Sequence, residues 1–207
     1  MHTEQSVCTN YMEGSRNQIL QTALKLFLEK SYKAVTFQEL MDITGFSKGA
    51  FFYYFKNKQQ IFEAVIDMYL DQFGSVDFTQ LPQNSLRDFL DAYHPKVKKM
   101  RSGFFAPGFA NPSNHYSLIF EALRIIPNFK NKVNRHEDKA IAGWISIMEA
   151  ARKNKEIKTA LTDAQLARLF IDASHGVVIQ MIMTDNTKAI EKETVTAWNN
   201  LYLLIKT

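Results

Sequence analysis

Gly45 stands between two short amphipathic runs and constrains this chain more than any other feature. The stretch reads Thr36-Phe-Gln-Glu-Leu-Met-Asp-Ile-Thr-Gly-Phe-Ser-Lys-Gly-Ala-Phe-Phe-Tyr-Tyr-Phe-Lys-Asn-Lys58. Thr36 and Glu39 have the spacing of a capping box, which starts a helix at Phe37. Glycine, with no Cβ, takes the left-handed conformation that ends such a helix. Ser47 is the next capping residue, and a second short helix is predicted from Lys48 to Tyr54 with Phe51 and Phe55 on its buried face. Asn57 to Gln60 caps a third helix. A helix, a glycine turn and a capped helix make the spacing of a helix-turn-helix, whose second helix enters the major groove of DNA. Proteins that never touch DNA use the same turn, and an aromatic run is more often core than contact surface.

The rest of the second helix suits a DNA surface. Lys48 lies in the first turn, where recognition helices meet phosphates and guanine edges. Ser47 and the helix-start N–H groups favour a phosphate oxygen. Tyr53 and Tyr54 carry hydroxyls on stiff rings. Lys58, a cation at a helix start, opposes the helix dipole, and an external anion would relieve it. With Thr36, Gly49 and Phe52 these residues form the expected DNA-facing set.

Thr36-x-x-Glu39-Leu40, then Thr-Gly-Phe-Ser-Lys-Gly49, Phe51, Tyr53, Phe55 and Asn57-Lys58, resembles the DNA-binding domain of the TetR family of bacterial transcriptional regulators over about residues 16–65. There are departures. That pattern has alanine where this chain has Met41 and Thr44, and glycine where it has Ser31. It often has tyrosine at Phe52 and histidine at Tyr54. Phe52 lacks the hydroxyl with which such a tyrosine donates to a phosphate.

Charge distribution is consistent with a polyanionic partner. Glu13 to Gln60 holds seven Lys/Arg against four Asp/Glu, which is +3 of the chain's net +4 in under a quarter of its 207 residues. Phosphate neutralisation supplies most nonspecific DNA affinity; a solvated helix face gives the same count. With 46% hydrophobic and 22% charged residues the composition is that of an ordinary globular protein. Cys8 is the only cysteine, which fits a reducing cytoplasm. The N-terminus lacks the pattern of a signal peptide, and no apolar run approaches the roughly 20 residues of a membrane span.

Residues 1–13 are expected to form a flexible segment, and without Lys or Arg they make a poor minor-groove arm. Residues 14–60 form the helix-turn-helix domain. Its first helix opens at Ser15-Arg-Asn-Gln18 and closes a core with Leu40, Ile43, Phe51 and Phe55. Residues 61–207 are a larger helical domain for ligand binding and dimerisation. Helices are predicted at 58–73, 85–101 (with Pro95 inside), 115–126, 132–153, 163–184 and 188–205, with a linker at 77–84. The basic cluster Lys96, Lys98, Lys99 and Arg101 reads either as a second nucleic-acid patch or as a solvated helix end. Residues 102–114 hold three phenylalanines and read either as a flap over a cavity or as a loop that plugs the core. The helix 163–184 is expected to be buried nearly all round.

The whole is therefore all-α. Resemblance to the TetR family implies a homodimer formed through the last two helices. It also implies a C-terminal cavity whose small-molecule occupant shifts the protein away from its double-stranded operator. The interface set expected is Phe170, Val177, Met181, Trp198, Leu201 and Tyr202. The expected lining is Tyr93, Phe104, Phe120, Trp144, Met148 and His175, which suits an apolar or aromatic effector. His175 also reads as a hydrogen-bonded core or interface residue. The five histidines share no ligand spacing, so no metal and no other cofactor is expected. No catalytic motif is present. Two rivals stay open: a ligand-independent architectural or division-linked DNA binder, and a small-molecule-binding enzyme.

Overall fold

In the computed structural model, residues 2–73, 76–104 and 112–207 are described, with side chains at 14–71, 76–99 and 113–207. Nine helices are found there: α1 (His2–Glu29), α2 (Phe37–Thr44), α3 (Lys48–Tyr54), α4 (Lys58–Phe73), α5 (Leu86–Phe104), α6 (Pro112–Ile125), α7 (Phe129–Lys153), α8 (Asp163–Met183) and α9 (Ile190–Ile205). Short 3-10 turns occupy Phe78–Gln80 and Thr187–Ala189. No strand occurs among the described residues.

The helices group into two compact units. One comprises Met1–Gln72 with Pro107–Phe129; the other comprises Phe73–Ala106 with Lys130–Thr207. The division differs from a cut at residue 60, because α4 and α6 both belong with the helix-turn-helix. The apolar faces explain why. Ile61, Phe62, Val65, Ile66 and Tyr69 of α4 are buried, as are Leu118, Ala122 and Ile126 of α6. The Phe62 ring meets Phe27 of α1 edge-on at 5.0 Å.

Within this first unit α1 buries Ile19, Ala23, Leu26 and Phe27, the stripe its periodicity predicts. The helix continues upstream of Ser15, so the Ser15–Gln18 pattern does not start it. Ile43 is a correction too: it is exposed, and Thr44 takes the buried position. Leu40, Met41 and Thr44 are the i, i+1, i+4 set that faces inward. Thr44 is accommodated because its hydroxyl donates to the Leu40 carbonyl at 2.9 Å.

The second unit is built on an aromatic cluster. Trp144 of α7 is edge-on to Phe89 at 4.9 Å and to Tyr93 at 5.3 Å, and lies 5.6 Å from Phe170 of α8. Trp198 of α9 closes the group, and its indole N–H donates to the Phe170 carbonyl at 2.9 Å. Phe78 stacks on Phe89 and covers Gly143, where an added Cβ would lie 2.4 Å from the ring. Residues 77–84 are therefore more than a linker. Glu156, in the turn after α7, accepts from the Leu86 and Arg87 amides at 2.7 and 2.9 Å and from the Tyr202 hydroxyl at 3.1 Å. A carboxylate at the N-terminus of α5 is what the exposed amides and dipole there favour. The chain end is fixed by the Lys158 amide donating to Ile205 and the Thr207 amide donating to Glu156.

Other expected boundaries move by a few residues. α5 runs to Phe104 and α6 begins at Pro112, a first-turn position that tolerates a missing N–H. The intervening 105–111, and with them most of the anticipated flap, lie outside the described residues. α8 is not buried all round: Leu166, Ala167, Phe170, Ile171, Ser174 and Val178 face the core, whereas Leu169, Ile179 and Met183 are exposed. By length and mean hydropathy alone, α8 would qualify to cross a membrane, contrary to the expectation that no run approaches that length. Its inward face instead packs on Trp144 and Trp198.

Candidate nucleic-acid interface

The helix-turn-helix forms as its caps dictate. The Thr36 hydroxyl accepts from the Glu39 amide at 3.0 Å, although the Glu39 carboxylate turns to Lys30 instead of closing the box. That ion pair and hydrogen bond hold the Glu39 carboxyl below its usual range. Gly45 has φ +70°, and its amide donates to the Met41 carbonyl at 3.1 Å. Ser47 caps α3 by accepting from the Ala50 amide, and Asn57 caps α4 by accepting from Gln60. Thr36, Ser47 and Asn57 thus cap the helices that the sequence assigns to them.

These caps orient α3. Phe51 points inward, fully buried and edge-on to Phe37 at 5.1 Å. Side chains one and two residues away must then point elsewhere, since successive positions turn by about 100°. Lys48, Gly49, Phe52 and Tyr53 are exposed, with Phe52 at 43% and Tyr53 at 67%. Tyr54 is half-buried and edge-on to Tyr53 at 5.1 Å. Thr36 and Ser47 are exposed, each with its side chain engaged as a cap. The outward face of α3 therefore combines one cation, a bare stretch of backbone, an apolar ring and a phenol. That combination can meet phosphate, a base edge and a methyl group.

Lys58 is placed differently from expectation. Its ammonium donates to the carbonyls of Tyr32 and Val35, both at 2.7 Å, and lies 4.2 Å from the Tyr32 ring centre. Desolvation depresses its pKa, partly offset by the Glu121 carboxylate. The anion anticipated at this helix start is replaced by two carbonyl dipoles. Lys58 is a fastener between α4 and the turn after α1. Glu121 of α6 holds the same turn by accepting from the Tyr32 amide at 2.8 Å. Neither contact has a local sequence signal, because the partners are 26 and 89 residues away.

The expected effector lining is brought together only in part. Trp144 and Met148 are buried in the core of the second unit, with the half-buried Tyr93 packed against them and its ring 5.3 Å from Trp144. Phe120 belongs to the other unit and is 53% exposed there. His175 is exposed on α8, opposite the inward Phe170–Ser174 face. The Phe104 side chain lies outside the described residues. A groove of about 560 Å³ runs between α1 and α4, with Arg16, Gln60, Glu63, Asp67 and Asp71 among its walls. Among the described residues no group of three or more His, Cys, Asp or Glu is placed to hold a metal.

Two expected interface residues are corrected. Phe170 and Trp198 are core residues of their own chain. Tyr202 and Leu201 pack against that core, and Val177 and Met181 are half-buried. The exposed apolar residues of α8 and α9 are Leu169, Ile179, Met183, Leu203 and Leu204. Amphipathic periodicity cannot separate these two faces, since both are apolar.

Residues 19–65 match the family "Bacterial regulatory proteins, tetR family". The chain is 31% identical over 86 residues to the HTH-type transcriptional repressor ComR of Escherichia coli K12, covering 39% of this chain and 41% of ComR. It is 25% identical over 162 residues to the HTH-type transcriptional repressor KstR2 of Mycolicibacterium smegmatis, covering 75% of this chain and 73% of that protein. The match thus spans less than half the length of ComR and about three quarters of KstR2. The fold is similar to that of SmeT in its complex with triclosan, with a TM-score of 0.67, 14% identity, and coverage of 94% of this chain and 92% of SmeT.

Proposed function

We infer that this chain, which belongs to the tetR family of bacterial regulatory proteins, is a cytoplasmic homodimeric repressor that binds a double-stranded DNA operator and is released by a small apolar or aromatic effector. The observation that carries the DNA-binding part is α3. A capped helix holds Lys48, Gly49, Phe52 and Tyr53 outward on a scaffold fixed by Phe51. Two relatives named as transcriptional repressors support the repressor reading. Effector binding draws support from a fold shared with SmeT, which is known in complex with triclosan. The ring-on-ring packing of Tyr93, Trp144 and Trp198 favours the second reading, a DNA binder with no effector.

The test is selection of duplexes from a random pool, followed by anisotropy titrations at several salt concentrations. Lys48→Ala should weaken the selected duplex by about 1–3 kcal/mol and relax sequence preference while folding is unchanged. Lys58→Ala should lower the urea midpoint of unfolding and leave the salt slope unaltered, since its ammonium is held by carbonyls. Failure to enrich any duplex would refute the reading. Release by a small molecule copurified with the protein separates the effector-gated repressor from its rival.

A further inference from the structure

The outward face of α3 carries one group that neither phosphate binding nor hydrogen-bonded base reading uses. Phe52 lies one helical turn beyond Lys48 and Gly49, and all three are exposed. Its ring is held by Phe37, whose centre is 5.1 Å away at a 46° tilt. Phe37 is fixed in turn by the buried ring of Phe51. Phe52 is therefore braced on one side and open on the other. Gly49, one turn before it, has nothing within 4 Å of the position a Cβ would take, so a partner can approach the backbone closely beside the ring.

A phenyl ring offers no donor or acceptor to a phosphate oxygen or to the polar atoms of a base edge. In the major groove the apolar feature of a base edge is the 5-methyl of thymine. A hydroxylated ring at this place would serve a sequence-blind phosphate; an unsubstituted ring serves a methyl. We propose that Phe52 is a specificity-determining residue that reads a thymine 5-methyl group in each operator half-site. This rests on the assignment of α3 as the recognition helix. The contact removes methyl and ring surface from water and involves no charge, so its contribution should not vary with salt as a phosphate contact does.

The experiment uses the full-length protein and duplexes it selects from a random pool. Each thymine of the selected half-site is replaced in turn by deoxyuridine, which deletes only the methyl. For the wild-type protein, one thymine per half-site should lose about four-fold in affinity on this change, equally at low and high salt. Phe52→Ala should bind the thymine and deoxyuridine duplexes alike, and Phe52→Leu should restore part of the difference. The wild-type arm requires no folded variant. Half-sites without thymine overturn the proposal, as does a wild-type protein indifferent to every replacement or a loss that persists unchanged in Phe52→Ala. In each case DNA binding itself stands. If no duplex is selected, the recognition-helix assignment falls and the proposal with it.

Discussion

His115 shows how burial alone sets a residue's chemistry. It lies on α6 inside the first unit, 5% exposed, with its Nδ1 3.1 Å from the Tyr69 hydroxyl of α4. Burial pushes its pKa down to about 4 from 6.5, and pushes the Tyr69 phenol well up. Both groups are neutral in the folded protein at pH 7. The direction of the linkage follows from proton uptake. Between pH 6.5 and 4 the unfolded chain binds a proton at His115 that the folded chain does not, so stability falls as pH falls through that window. The shift corresponds to on the order of 3 kcal/mol, lost in full below about pH 4 and absent as a pH effect above 6.5. Urea unfolding of the wild-type protein and His115→Gln at pH 7.5 and 4.5 measures it. The wild-type midpoint should drop more steeply than that of the variant. Parallel losses would show that other groups carry the acid dependence.

At the level of the element, the chain is held by helix ends as much as by helix faces. Glu156 joins the start of α5 to α9 by accepting from two α5 amides, the Ser85 hydroxyl and the Tyr202 hydroxyl. Glu156→Ala leaves those amides without their acceptor, and the expected cost is about 1–3 kcal/mol. Glu156→Gln, which keeps the acceptor oxygen, should recover part of it; equal stability of wild type and both variants in thermal unfolding would remove this role. The contrast with α2 and α3 explains what was legible in the sequence. Thr36, Gly45, Ser47 and Asn57 act within four residues of themselves, so their spacing declares the two helices and the turn between them. Glu156, Lys58 and Glu121 act at helix starts or turns 23 to 89 residues away. Nothing local marks such partners, which is why Lys58 reads in sequence as a phosphate ligand. Ile43 reads in sequence as a core residue for another reason: adjacent positions on a short helix differ by one step of about 100°, and a threonine that back-bonds to its own helix, as Thr44 does, can replace an aliphatic residue inward.

For the whole molecule, the decisive quantity is the apolar surface that one chain leaves uncovered. α8 and α9 pack on each other and present their inner faces to the aromatic core. Outward they expose Leu169, Ile179 and Met183 on α8, with Met183 at 81%, and Leu203 and Leu204 on α9, with Leu204 at 80%. Gly176 lies on this outward stripe with open space around it, so a second helix can approach closely. Covering two such helix pairs with each other gives a four-helix arrangement, and a stable interface needs about 1,200–2,000 Å² of buried surface. Such an assembly would also suit a two-fold operator, because a single recognition helix reads one half-site. Leu204→Glu should leave the chain folded, since the side chain is outside the core, and should convert dimers to monomers in sedimentation velocity at micromolar concentration. Ile179→Glu should do the same. Trp198→Glu should instead unfold the second unit, because it places a charge among Trp144, Phe170 and Tyr93 and removes the indole hydrogen bond. Monomeric Leu204→Glu should retain nonspecific DNA binding and lose most operator preference. A wild-type protein that sediments as a monomer would end this assignment, and so would a Leu204→Glu variant that still dimerises alongside Ile179→Glu.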